Sequence, residues 1–134
     1  MHEKEHLEYD LTTPWVLPSG PSSVPLARRA ARRQLESCGV TDSAVLDTVE
    51  LLVSELTANV VKHVGGRASL RVAVGDKKIR IEVCDSSPTR IPVEQHMNVE
   101  SISGRGLLLV STLASSWGFQ SDDAQKCTWV EVDL

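Results

Sequence analysis

Apolar positions recur along this chain with two different periods. Val24, Ala27, Ala31, Leu35 and Cys38 return every three or four residues, the spacing that aligns on one face of an α-helix. Pro18-Ser19-Gly20-Pro21 marks a turn before this run. Ser22 or Ser23 can cap it, Pro25 suits a first helical turn, and Gly39 ends it. A second run is stronger. Val45, Val49, Leu52, Val53, Leu56 and Val60 form one stripe, with Thr41 or Asp42 as cap, and the pattern continues to about His63 before Gly65-Gly66 stops it. The period then falls to two. Leu70, Val72 and Val74 alternate with Ser69, Arg71 and Ala73, and Ile79, Ile81 and Val83 alternate with Lys78, Arg80 and Glu82, with Gly75-Asp76 between them. These are two strands of a hairpin.

Residues 86–103 hold two prolines and little periodicity, so they read as an irregular loop. A short, very apolar helix is expected from Leu107 to Ala114, after a glycine-rich step. Two closing strands are expected over Ser116–Gln120 and Thr128–Leu134, the second with Val130, Val132 and Leu134 on one side and Trp129, Glu131 and Asp133 on the other. Upstream, Trp15-Val16-Leu17 is a short apolar stretch, and residues 1–14 are expected to be frayed or to form an edge strand. Helices from separate parts of the chain can then cover one face of a mainly antiparallel or mixed sheet. The fold class expected is an α/β two-layer sandwich with about three helices, in one domain over 1–134. The regular βαβ alternation of a dinucleotide-binding fold is missing.

Composition narrows the function. With 134 residues, 41% hydrophobic and 24% charged, the chain is ordinary for a globular domain that can bury a core. A formal net charge of −4 argues against a protein that coats duplex nucleic acid, which needs a basic surface. No apolar run approaches the length of a membrane span, and the polar start Met1-His2-Glu3-Lys4-Glu5-His6 does not resemble a secretory signal. Cys38, Cys84 and Cys127 are odd in number and form no CxxC pair, so they read as free thiols in a reducing cytoplasm. His2 and His6 have helical metal-ligand spacing but lack a third ligand.

Three polar signals interrupt the apolar pattern. Glu55 and Asn59 lie four apart on the second helix and share a face, and Lys62 joins them. A carboxylate and an amide at the margin of a core can line a pocket, where an amide oxygen suits a hard cation such as Mg²⁺. An amphipathic helix with a solvated Glu and a boundary Asn would show the same spacing. Asp85 ends an apolar strand and is followed by Ser86-Ser87-Pro88. Its carboxylate can accept a hydrogen bond from an exocyclic amine such as that of adenine, although Asp and Ser are also common where a strand turns into a loop. Finally, Ser103-Gly104-Arg105-Gly106-Leu107 opens the third helix. Glycines allow close approach of a ligand, and a helix N-terminus offers N–H donors to phosphate.

In this order, the three signals resemble the boxes of the GHKL ATPases, the superfamily of histidine-kinase catalytic domains, type II topoisomerases, Hsp90 chaperones and anti-sigma serine kinases. Glu55 and Asn59 with Lys62-His63 look like the N box, Asp85 with Ser86 like the start of the first glycine box, and Gly104-Arg105-Gly106-Leu107 like the second. The small stand-alone anti-sigma regulators are the most similar branch. Pro21-Ser22-Ser23-Val24-Pro25-Leu26-Ala27-Arg28 and the closing Trp117-Gly118 resemble their opening and closing motifs. The resemblance implies ATP and Mg²⁺ as cofactors, Asn59 as the Mg²⁺ ligand and Glu55 as general base toward an attacking hydroxyl. Asp85 would bind the adenine amine, Gly104, Arg105 and Gly106 would lie against the phosphates, and 86–103 would form the lid over ATP. The family's first box carries glycines after the Asp, whereas Asp85 is followed by Ser86-Ser87-Pro88-Thr89.

The resemblance implies a cytoplasmic serine/threonine protein kinase that phosphorylates an anti-anti-sigma partner and binds a sigma factor, with homodimerisation expected. The alternative is a protein-interaction module that regulates a sigma factor or other regulator without kinase activity. A detached histidine-kinase catalytic domain is a weaker match, since no dimerisation helix with a phospho-acceptor His precedes the motifs. Arg28, Arg29, Arg32 and Arg33 put four positive charges on the first helix, read as a solvated face with local ion pairs, or as a docking surface for an acidic partner.

Overall fold

The computed structural model of the chain describes residues 9–10, 14–63, 66–85, 104–121 and 125–134. In chain order the elements are β1 (Tyr9–Asp10), β2 (Trp15–Leu17), α1 (Ser23–Ser37), α2 (Ser43–His63), β3 (Ala68–Gly75), β4 (Lys78–Asp85), α3 (Gly104–Leu113), β5 (Ser116–Ser121) and β6 (Lys126–Asp133). The six strands form one sheet in the order β1-β3-β4-β6-β5, with β2 also on β3, and every described pairing is antiparallel. The result is the α/β two-layer sandwich expected from the periodicities.

The alternation along each strand decides the layers. Leu70, Val72, Ile79, Ile81, Val83 and Val130 are fully buried and face the helices. They meet Ala27, Ala31 and Leu35 of α1 and Val49, Leu52, Val53, Leu56 and Val60 of α2, all fully buried, in one core. Ala27 and Ala31, one turn apart, are fully buried on the α1 stripe. Asp42 begins α2, its Oδ1 accepting the N–H of Ala44 at 2.9 Å and of Val45 at 3.4 Å. Ser22 stands at the N-cap of α1 without a side-chain cap bond; Ser23 instead donates its hydroxyl to the carbonyl of Gly20 at 2.8 Å. The third helix starts at Gly104, earlier than the apolar run suggested, and Leu134 lies beyond β6 and half exposed, off the core face.

The other face of the sheet carries polar and charged residues. Arg80 donates to Glu82 (2.8 Å) and Glu131 (3.1 Å), and its guanidinium stands 4.4 Å from the centre of the Trp129 ring. Burial opposes charge on Arg80, but the hydrogen bonds to Glu82 and Glu131 outweigh it and hold the guanidinium pKa above its usual value. Cys84 and Cys127 are register partners on this face and form a disulfide, with Cα atoms 3.9 Å apart. The reading of three free thiols therefore holds only for Cys38. A separation of 43 residues gives no local signature, and pairing of β4 with β6 is what brings the two sulfurs together. Among the described residues, no helix is long and apolar enough to cross a membrane.

Candidate functional site

The three signals fall on three elements, and the topology sets where those elements meet. Asp85 is the last residue of β4. It lies opposite Ala68, the first residue of β3, and Lys126, the first of β6, so these three mark one end of the sheet. Ala68 follows the end of α2 by five residues, a reach of at most about 18 Å. The end of α2 that bears Asn59 and Lys62 is thereby tied to the Asp85 end of the sheet. At the opposite end, the N–H of Ser115 donates to the carbonyl of Glu131 at 2.8 Å, and Ser116 pairs with Glu131. Only Ala114 and Ser115 separate α3 from β5, so the C-terminal end of α3 lies near the Glu131 end of the sheet. α3 packs beside α2 and touches β5.

Within that frame the side chains differ sharply in exposure. Asn59 is 2% exposed, and its amide Nδ2 has no hydrogen-bond partner among the described residues. Helical geometry explains its position: Asn59 lies between Leu56 and Val60 on the buried stripe, so the amide is carried inward with them. Glu55, one turn earlier, is half-buried, and Lys62 is exposed. Asp85 is 1% exposed because it continues the inward series Ile79, Ile81, Val83. Its carboxylate is thereby placed among core side chains at the open end of the strand, where a polar ligand group can reach it only from that end.

Gly104, Arg105, Gly106 and Leu107 form the first turn of α3 through their backbone, the part of a helix whose N–H groups lack internal partners. Ser86 and the lid segment 86–103 lie outside the described residues, as do His2 and His6. Two further polar side chains on the buried surface escaped the sequence reading. Thr57 on α2 and Thr128 on β6 are fully buried, and neither hydroxyl has a partner among the described residues. Thr128 lies opposite Val83 and two residues from Lys126, the partner of Asp85, on the inward face. Its signal was available: it is the one hydroxyl in the inward series Thr128, Val130, Val132.

The residues present fit a nucleotide with a divalent cation. An orphaned, buried amide needs a partner, and a half-turn about its last bond offers either oxygen to a cation or N–H to a phosphate. Among the described residues, no group of three or more His, Cys, Asp or Glu side chains could hold a metal by itself. A cation here would take most of its ligands from phosphate and water, as Mg²⁺ does.

No curated protein matches the chain. The histidine kinase-like ATPase domain matches residues 17–132, from the end of β2 to the penultimate residue of β6, and the chain belongs to that family.

Proposed function

We propose that the protein is an ATP-dependent regulator that phosphorylates a serine or threonine of an anti-anti-sigma partner and so controls release of a sigma factor. Family membership implies ATP binding. The observation that carries the rest is the buried, unpartnered amide of Asn59, one turn after Glu55 and at the same end of the layers as the buried Asp85.

In this reading Asp85 accepts a hydrogen bond from the exocyclic amine of adenine, and the free N–H groups at Gly104, Arg105 and Gly106 meet the phosphates. Asn59 contributes its amide oxygen to Mg²⁺, which when bound would offset charge on the phosphate oxygens. Lys62 is exposed at the rim and can add a positive charge there. Glu55 holds the acceptor hydroxyl and takes its proton as the phosphoryl group transfers. Little covalent work falls on the protein; orientation and charge carry most of such a reaction. Sigma factors act in the cytoplasm, so the protein would work there, where reducing conditions bear on the Cys84–Cys127 bond.

A second reading is supported by Ser86-Ser87-Pro88 following Asp85 without a glycine: the domain captures its regulator without phosphotransfer. One experiment separates the two. The protein is incubated with γ-labelled ATP, Mg²⁺ and anti-anti-sigma proteins from the same cell, beside Glu55→Gln. Phosphotransfer slowed by about 10²–10⁴-fold in the variant, with ATP binding kept, supports the kinase. Transfer at the wild-type rate removes Glu55 as the base, and no transfer by the wild type leaves capture alone.

A further inference from the structure

A groove of about 280 Å³ runs between β2 and α1, at the β2 edge of the sheet. Trp15 and Val16 line it from the strand, and Leu26, Arg29, Ala30 and Arg33 from the helix. Trp15 and Ala30 are half-buried against the core and Leu26 is 38% exposed at the rim, whereas Val16, 68% exposed, pairs with Ser69 and so presents its side chain on the other sheet face of the same edge. A second hollow of about 290 Å³ continues along α1 past Arg28 and shares Arg29 with the first. Among the described residues β2 pairs only with β3, so its other edge carries backbone groups that no described strand takes up.

The charges on this face are not evenly neutralised. Arg32 holds both nearby carboxylates, donating to Glu36 at 3.3 Å and to Glu50 at 2.6 Å. Arg28, Arg29 and Arg33 are exposed and have no carboxylate partner among the described residues. The expectation of a solvated face with local ion pairs thus holds for Arg32 and leaves three cations uncommitted. They stand on a chain whose formal net charge is −4, so this face reverses the sign of the molecule locally.

We infer that the groove binds an extended acidic segment of a partner protein, in which an apolar side chain is flanked by two carboxylates. Arg29 and Arg33 are one helical turn apart, about 6 Å along α1. Alternate residues of an extended chain are about 6.6–6.8 Å apart, so two carboxylates spaced by one residue reach both guanidiniums. The segment's backbone adds to the free edge of β2, so the apolar side chain between the two carboxylates turns to the other sheet face, where it packs on Val16. Charge-assisted pairs with Arg are stronger than neutral ones, and a guanidinium can grip a carboxylate with two N–H groups. Three cations beside apolar walls suit a protein segment better than a nucleic acid, which would need a longer track of positive charge. The inference rests on the groove and its charges and stands independently of the nucleotide site.

The test uses the full chain and a short fluorescent peptide that alternates glutamate with valine and leucine, beside the same peptide with glutamine for glutamate. Fluorescence anisotropy is read at low salt and near physiological salt. The acidic peptide should bind and weaken as salt rises, and the glutamine peptide should not bind. Arg29→Glu with Arg33→Glu should cost about tenfold or more in affinity, while thermal unfolding stays unchanged because both side chains are exposed. Val16→Ser should weaken binding without altering its salt dependence. Equal binding of the two peptides, no effect of the charge reversal, or no binding up to about 1 mM overturns the proposal. Tighter binding of single-stranded RNA than of the acidic peptide assigns the face to nucleic acid instead. Self-association that the charge reversal abolishes assigns it to a second copy of this chain.

Discussion

Replacing Asn59 by leucine separates a residue kept for function from one kept for folding. The two side chains have nearly the same shape, so the change leaves little cavity and little overlap. In the nucleotide-free protein the amide Nδ2 has no partner among the described residues, at a site 2% exposed and flanked by the fully buried Leu56 and Val60. A buried donor left unsatisfied costs about 1–3 kcal/mol, and leucine is also a better helix former than asparagine by a few tenths. The variant should therefore be more stable than the wild type by about 1.5 kcal/mol. For a domain of this size that is a rise in Tm of roughly 5 °C. Nucleotide should reverse the order. Saturating ATP with Mg²⁺ at about 100 times Kd adds near 2.7 kcal/mol to a protein that binds it, and Asn59→Leu should gain almost nothing. Thermal unfolding of both proteins, with and without ATP and Mg²⁺, gives the four values needed. Destabilisation of the variant by more than about 1 kcal/mol without nucleotide would show that the amide already serves the fold. An undiminished shift with ATP would place Asn59 outside the binding site.

Three further outcomes follow from the fold. Cys127→Ser, or a thiol reductant on the wild type, removes a link across 43 residues of chain; the chain-entropy estimate for a loop of that length is about 4 kcal/mol, read as a lower midpoint in urea. An unchanged midpoint under reductant would mean the two cysteines are not joined. Gly118→Ala places a Cβ 2.9 Å from Cζ2 of Trp129, whose ring is held against Arg80, and should destabilise by about 1–3 kcal/mol in the same assay. Asp42→Ala removes the acceptor for the Ala44 and Val45 N–H groups and should cost about 1 kcal/mol, recovered in large part by Asp42→Asn.

The candidate site was partly legible in the chain. Asn59 was expected nearer the core than Glu55 because a residue between Leu56 and Val60 shares their side of the helix, and it lies buried there. Asp85 was recognisable as the polar end of an apolar strand, yet its depth came from the neighbouring strands on both sides. Thr128 passed unnoticed because a threonine is ordinary in a strand, and its hydroxyl matters only once the strand is buried on that face.

The sequence by itself determined the helices, the alternation of the strands and which side of each is apolar. Those properties depend on neighbours within four residues, and side-chain periodicity writes them into any short window. Only the tertiary structure decided the partners: β6 beside β4, which joins Cys84 to Cys127; the placement of β2 on β3, which opens the groove beside α1; and the capture of Glu50 by Arg32 alone among four arginines. Each of these depends on register or packing between segments distant along the chain. A shift of one residue in register would exchange the inward and outward faces of a strand, so such contacts exist only when the whole sheet has assembled.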